Sequence, residues 1–198
     1  MFYSLLFGII GFILFQFIFW KRLKEDYSSE LIFSVSFLSS IVWFSSKYLF
    51  TRLLPNYWFW LSFTVALLVF VLVVQKLKMR FYETLEAFII SVLSYLIVFF
   101  LHDAVVNESI FSFAHSVFIF AICFLFIFLD TRYKNFSWYK SGRVGFSGLI
   151  TLGSYMLVRS VLVYFFPFML SFASFDIYIS TTVAFISFFL VYNLARNI

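Results

Sequence analysis

The chain has 198 residues, 64% of them hydrophobic and 12% charged, with 34 phenylalanines, a formal net charge of +5 and a mean hydropathy of +1.05. Soluble globular domains are roughly half apolar, so a water-soluble fold is excluded, and a single cysteine leaves no intramolecular disulfide. Nucleic acid is excluded as a partner because the basic residues sit in short gaps between apolar runs and form no continuous stripe.

A hydrocarbon core about 30 Å thick is crossed by about 20 helical residues, since a helix rises about 1.5 Å per residue. Stretches of this length run over residues 2–20, 31–50, 57–74, 82–101, 110–129, 146–166 and 177–194. The predicted architecture is all-α: one polytopic membrane domain, 1–198, built as a bundle of seven transmembrane helices. The first stretch has no basic residues before it and no small-residue cleavage site, so it reads as a retained helix and not a signal peptide. Lys21, Arg22 and Lys24 follow it, Lys76, Lys78 and Arg80 follow the third stretch, and Arg132, Lys134, Lys140 and Arg143 follow the fifth. The opposite side carries only Lys47, near the end of the second stretch, and Arg52, with Asp103, Glu108 and Asp176. Short cytoplasmic loops carry the excess of Lys and Arg. The expected orientation therefore has the N-terminus outside and the C-terminus in the cytoplasm, with the basic residues meeting anionic headgroups.

Polar residues are shared unevenly. The second stretch contains Ser34, Ser36, Ser39, Ser40, Ser45 and Ser46. The sixth contains Ser147, Gly148, Thr151, Gly153, Ser154 and Tyr155, and the seventh contains Ser180, Thr181, Thr182 and Ser187. Small residues and hydroxyls favour close helix contacts, so these three are the predicted inner helices, with the third and fifth facing lipid. The gap at 130–145 mixes basic residues with Phe136, Trp138 and Tyr139 and is expected along the membrane surface. Glu83 and Glu86 open the fourth stretch, where acidic groups complement the helix macrodipole. Cys123 lies inside the fifth stretch as a small apolar side chain.

Arg159 lies within the sixth stretch, about two thirds of the way to its outer end. A guanidinium at this depth costs several kcal/mol and must meet an anion inside the bundle. Helical spacing puts Gly148, Thr151, Tyr155 and Arg159 on one face. The anion is either a lipid phosphate gripped by the guanidinium fork or an internal carboxylate, Asp103 or Asp176; snorkelling to the interface is the third choice. His102 and Asp103 close the fourth stretch and His115 lies early in the fifth, where they could shuttle a proton. No His-x-x-x-His or His-Glu-x-x-His spacing appears, so no metal site is predicted. No P-loop, Gly-x-Ser-x-Gly elbow or dinucleotide turn appears either, and no cofactor is expected.

Four segments in order resemble the prolipoprotein diacylglyceryl transferases, bacterial seven-helix membrane enzymes. "SLLFGIIGFILFQFIFWKRLKEDYSSELIFSVSFLSSI" is similar to that family's first helix, basic loop and second helix, and "FWLSFTVALLVFVLVVQKLKMRFYETLEAF" to the third helix and the acidic start of the fourth. "AHSVFIFAICFLFIFLDTRY" resembles the segment that opens with His-Pro, and "SGRVGFSGLITLGSYMLVRSVLVYF" the helix carrying a Tyr and an Arg four residues apart. The resemblance implies a transferase of the bacterial plasma membrane that moves diacylglyceryl from phosphatidylglycerol to a lipoprotein-precursor cysteine. Tyr155 and Arg159 would hold the headgroup, joined by Asp103, and His115 or His102 would accept the proton. Much of the signature is missing. Thr64 stands near the position of the family's His-Gly-Gly, "LIVFFLHDAVVNES" replaces its Gly-Arg-x-Gly-Asn-Phe, and Phe120 and Ala121 replace a Tyr-Glu. The alternative expectation is a non-catalytic membrane scaffold or phospholipid-binding protein that kept the fold.

Overall fold

The computed structural model describes residues 2–55, 57–136, 144–165 and 176–196. They form seven α-helices, α1 Phe2–Leu23, α2 Ser29–Leu53, α3 Trp58–Lys76, α4 Phe81–Val106, α5 Ile110–Arg132, α6 Phe146–Phe165 and α7 Asp176–Arg196, with a 3-10 turn at Tyr133–Asn135 and no strand among the described residues. All seven are long and apolar enough to cross a membrane, so the protein is a multi-pass membrane protein. Every predicted span is present. Most extend a few residues further, because hydropathy marks the apolar part of a helix whereas end residues such as Arg22 and Lys76 continue its hydrogen bonding.

Connections are short and locally specified. The α3 terminus is a Schellman arrangement: Met79 N donates to Val74 O at 3.1 Å and Lys78 N to Gln75 O at 3.1 Å. Lys78 occupies the left-handed position usually given to glycine, with φ 56. The buried pair Val74 and Met79 supplies the accompanying apolar contact. Across the same end, the Tyr27 hydroxyl accepts from Arg80 N at 2.9 Å and donates to Glu83 at 3.0 Å. Burial pushes the Tyr27 phenol up from its ordinary range, so it stays protonated for that donation.

The most extensive contacts pair α1 with α4, α2 with α3, α4 with α5, and α6 with α7. α4 is the most enclosed helix, with 67% of its spanning stretch buried, followed by α6 with 56%; the others lie between 22% and 33%. The expectation that the second, sixth and seventh helices are the inner ones therefore holds for the sixth alone. α3 and α5 are no more exposed than α2. Hydroxyl content does not track enclosure. Ser39, Ser40 and Ser46 on α2, and Thr181, Thr182 and Ser187 on α7, donate to carbonyls of their own helices at 2.6–2.8 Å. Ser91 and Ser94 on α4 and Thr151 on α6 make the same bond to their own helices, so a self-satisfied hydroxyl does not mark which helix is enclosed.

Glu86 also departs from its expected place. It is a buried junction, not a surface charge in a first helical turn, at 2% exposure. Its Oε2 accepts from the backbone N–H groups of Gly145 at 2.9 Å and Gly148 at 3.4 Å, capping α6 from α4. Its Oε1 meets Arg22 at 2.5 Å, and Arg22 also binds Asp130 through two hydrogen bonds of 2.5 and 2.8 Å. One guanidinium thus joins α1, α4 and α5 at the start of α6. A Cβ on Gly148 would lie 2.9 Å from the Glu86 Cα, and one on Gly145, at φ +111, would lie 2.8 Å from the Tyr82 Cβ. Asp130 and Tyr133, expected along the membrane surface, point into the protein, with Tyr133 stacked on Phe146. Trp138, Tyr139, Lys140 and Arg143 of the predicted surface loop lie outside the described residues.

Candidate functional site

The Glu86 cap fixes where α6 begins, and from there the helix carries its polar stripe through the bundle. Thr151, Tyr155 and Arg159, predicted on one face, are all buried, at 0%, 1% and 2% exposure. Arg159 stands eleven residues beyond Gly148, roughly 16 Å at 1.5 Å per residue. The helix therefore bears charge chemistry near both ends and almost none between.

Asp176, in the first turn of α7, is ion-paired with Arg159. This settles the counter-ion among the internal carboxylates in favour of Asp176 over Asp103. The position suits a carboxylate twice over, because a helix N-terminus also favours negative charge. Trp60 on α3 completes the arrangement. Its indole Nε1 donates to Asp176 at 2.6 Å, and its ring lies 5.3 Å from the Arg159 Cζ. An aromatic face beside a desolvated guanidinium is worth about 2 kcal/mol. Trp60 is the residue that sequence reading missed. Its signal was available only indirectly, as an indole near the same membrane level as Asp176.

One turn before Arg159, the Tyr155 phenol lies beside the guanidinium and meets His115 Nε2 at 3.2 Å. His115 on α5 is buried at 3% and packed edge-on to Phe100 with centroids 4.2 Å apart, and its Nδ1 has no hydrogen-bond partner among the described residues. Phe118 stacks on Tyr155 with centroids 6.1 Å apart. Imidazole, phenol, guanidinium and carboxylate therefore follow one another from α5 through α6 to α7.

The other two predicted site residues lie elsewhere. Asp103 accepts from the Ser112 hydroxyl and from Asn107 Nδ2 at 2.7 Å, closing the α4–α5 turn. His102 packs edge-on to Phe7 of α1, with centroids 5.5 Å apart. The structure thus brings together His115, Tyr155 and Arg159, and leaves Asp103 and His102 in separate contacts. Among the described residues no three His, Cys, Asp or Glu side chains group as metal ligands.

A cavity of about 370 Å³ runs beside this chain of polar groups, within the range of small-molecule sites. The α2–α3 hairpin forms one side, through Trp43, Trp60 and Phe63. α4, α6 and α7 form the other, through Leu93, Met156 and Val183. Along α6 the lining extends from Leu149 to Arg159, roughly 15 Å. Among the described residues Arg159 is the one charged side chain in the lining. The result is a long apolar space with Arg159 near one end. No family model, curated protein or solved structure matches the chain.

Proposed function

We propose that this protein binds an anionic phospholipid, with its phosphate at Arg159 and Tyr155 and an acyl chain along the cavity, and that it is a divergent relative of the prolipoprotein diacylglyceryl transferases. The observation that carries the reading is the placement of one buried arginine, Arg159, in the lining at the end of an elongated apolar cavity. That is the pattern of polarity in a phospholipid: one compact charge, then hydrocarbon. The resemblance of the Tyr155–Arg159 segment supports phosphatidylglycerol as the lipid. The alternation of basic loops supports an N-terminus outside and a C-terminus in the cytoplasm of a bacterial plasma membrane, so that Arg159 serves the outer leaflet.

In the enzymatic form of this reading, the thiol sulfur of a lipoprotein precursor attacks the diacylglyceryl carbon that bears the phosphate ester. A C–S bond forms, the C–O bond breaks, and glycerol phosphate leaves with the electron pair, its growing charge held by Arg159. The thiol proton passes to His115, whose Nε2 already shares a hydrogen bond with Tyr155. Asp176 holds Arg159 in the absence of lipid, and the phosphate competes with it for the same guanidinium.

A second reading, a phospholipid-binding scaffold without catalysis, is favoured by two observations. Asp176 already neutralises Arg159, and His102 and Asp103 make contacts of their own away from the Tyr155–His115 pair. Complementation of a bacterium depleted of its diacylglyceryl transferase separates the two. Growth with the wild-type chain and failure with Arg159→Ala and His115→Ala support the enzyme; failure of a well-inserted wild-type chain leaves the scaffold.

A further inference from the structure

We infer that the α2 face bearing Lys47 and Arg52 is a docking site for the headgroup of an anionic phospholipid drawn from the surrounding bilayer, set at the mouth of the cavity that ends at Arg159; this assignment rests on the phospholipid reading above. Phe44, Lys47, Tyr48, Thr51 and Arg52 share one helix face by their spacing of three and four, and together they border a surface groove of about 420 Å³. Both cations are held by rings and not by carboxylates. Lys47 Nζ lies 5.3 Å from the Trp58 ring centroid and the Arg52 Cζ 4.3 Å from that of Tyr48. Among the described residues neither forms a salt bridge. A ring orders a cation from one side and leaves its other side open to an anion.

Phe44 connects this groove to the interior, since it borders both the groove and the long cavity. Its ring is 42% exposed and rests on Phe12 of α1 at 6.3 Å between centroids. α1 and α2 pack far less extensively than α1 and α4, so the wall at Phe44 is thin. Thr51 has its hydroxyl committed to the Lys47 carbonyl at 2.6 Å, which leaves the two cations and the Tyr48 hydroxyl as the groove's recognition elements. The occupant is a lipid because the groove lies on a lipid-exposed helix face near its end, where headgroups lie, with Tyr48 62% exposed beside it. An anionic headgroup gains from two nearby cations where a zwitterionic one does not. Docking there places an acyl chain against Phe44, on the way to Trp43 and the cavity.

The test uses the full-length protein in phosphatidylcholine nanodiscs, mixed rapidly with phosphatidylglycerol carrying a nitroxide on one acyl chain. With Trp20, Trp58 and Trp138 replaced by Phe throughout, the remaining Trp43 and Trp60, which line the cavity, report arrival of the nitroxide by quenching. The combined substitution Lys47→Gln and Arg52→Gln is expected to slow quenching roughly tenfold while leaving its final extent within about twofold. Lys47→Arg with Arg52→Lys is expected to restore the rate. Arg159→Gln is expected to reduce the final extent instead. An unchanged rate in the double glutamine variant overturns the docking site, as does equal slowing with nitroxide-labelled phosphatidylcholine. Absence of any preference for phosphatidylglycerol in the wild-type protein overturns both the docking site and the phospholipid reading beneath it.

Discussion

Arg159 on α6 and Asp176 at the first turn of α7 form an ion pair in which both side chains are almost wholly enclosed, at 2% and 0% exposure. The pair joins two helices that already pack closely, and Trp60 ties it to α3. In hydrocarbon neither charge survives alone, so each residue explains the other. Arg159 also lines one end of the apolar cavity, and in the proposed phospholipid reading an incoming phosphate competes with Asp176 for it.

Asp176→Asn should therefore act in two directions. Breaking a buried pair from one side costs about 3–5 kcal/mol, so the melting temperature in neutral detergent should fall well below wild type. Phosphatidylglycerol should raise it more in the variant than in the parent, because the competitor is gone. Trp60→Phe leaves a smaller aromatic ring and removes the indole N–H donor to a charged acceptor, a loss of about 1.5–3 kcal/mol for the hydrogen bond. Thermal melts with and without lipid check the order; equal, small shifts in both variants contradict the pairing.

Gly148→Ala should destabilise the bundle by about 1–3 kcal/mol. The new methyl meets the Glu86 Cα at 2.9 Å, and a backbone atom moves only if α4 and α6 separate. Separation also lengthens the bonds by which Glu86 caps α6. Gly8→Ala is the control, since nothing lies within 4 Å of its added Cβ. Unfolding in mixed micelles should distinguish the two, with Gly8→Ala at or above wild-type stability.

Orientation is open to chemical labelling. On a Cys123→Ala background, which removes the sole cysteine, Tyr3→Cys and Arg52→Cys should react with a membrane-impermeant maleimide added to intact cells. Lys24→Cys and Arg80→Cys should react only after the membrane is opened. The reverse pattern would place Arg159 towards the cytoplasmic leaflet and move the proposed lipid source with it.

Sequence reading found the seven helices because each needs only length and apolar content, both local properties. It found Arg159 and Tyr155 because a charge inside a span is conspicuous and helical spacing fixes their common face. It misassigned the inner helices, since hydroxyls bonded to their own carbonyls occur on α2 and α7 as they do on α4 and α6, and so do not mark which helix is enclosed. Glu86 looks like a local end charge in the sequence because its partners, Arg22, Gly145 and Gly148, come from two other parts of the chain. Trp60 was missed for the same reason: its partner Asp176 is 116 residues away. What depended on neighbours in sequence was legible, and what depended on tertiary pairing was not.

Native mass spectrometry of the protein released from bacterial membranes measures directly whether Arg159 holds an anionic phospholipid. Wild-type protein should retain phosphatidylglycerol in preference to phosphatidylethanolamine, and Arg159→Gln should lose that preference while remaining folded. Equal retention of the two lipids by wild type, or an undiminished preference in Arg159→Gln, would contradict a phosphate site at Arg159.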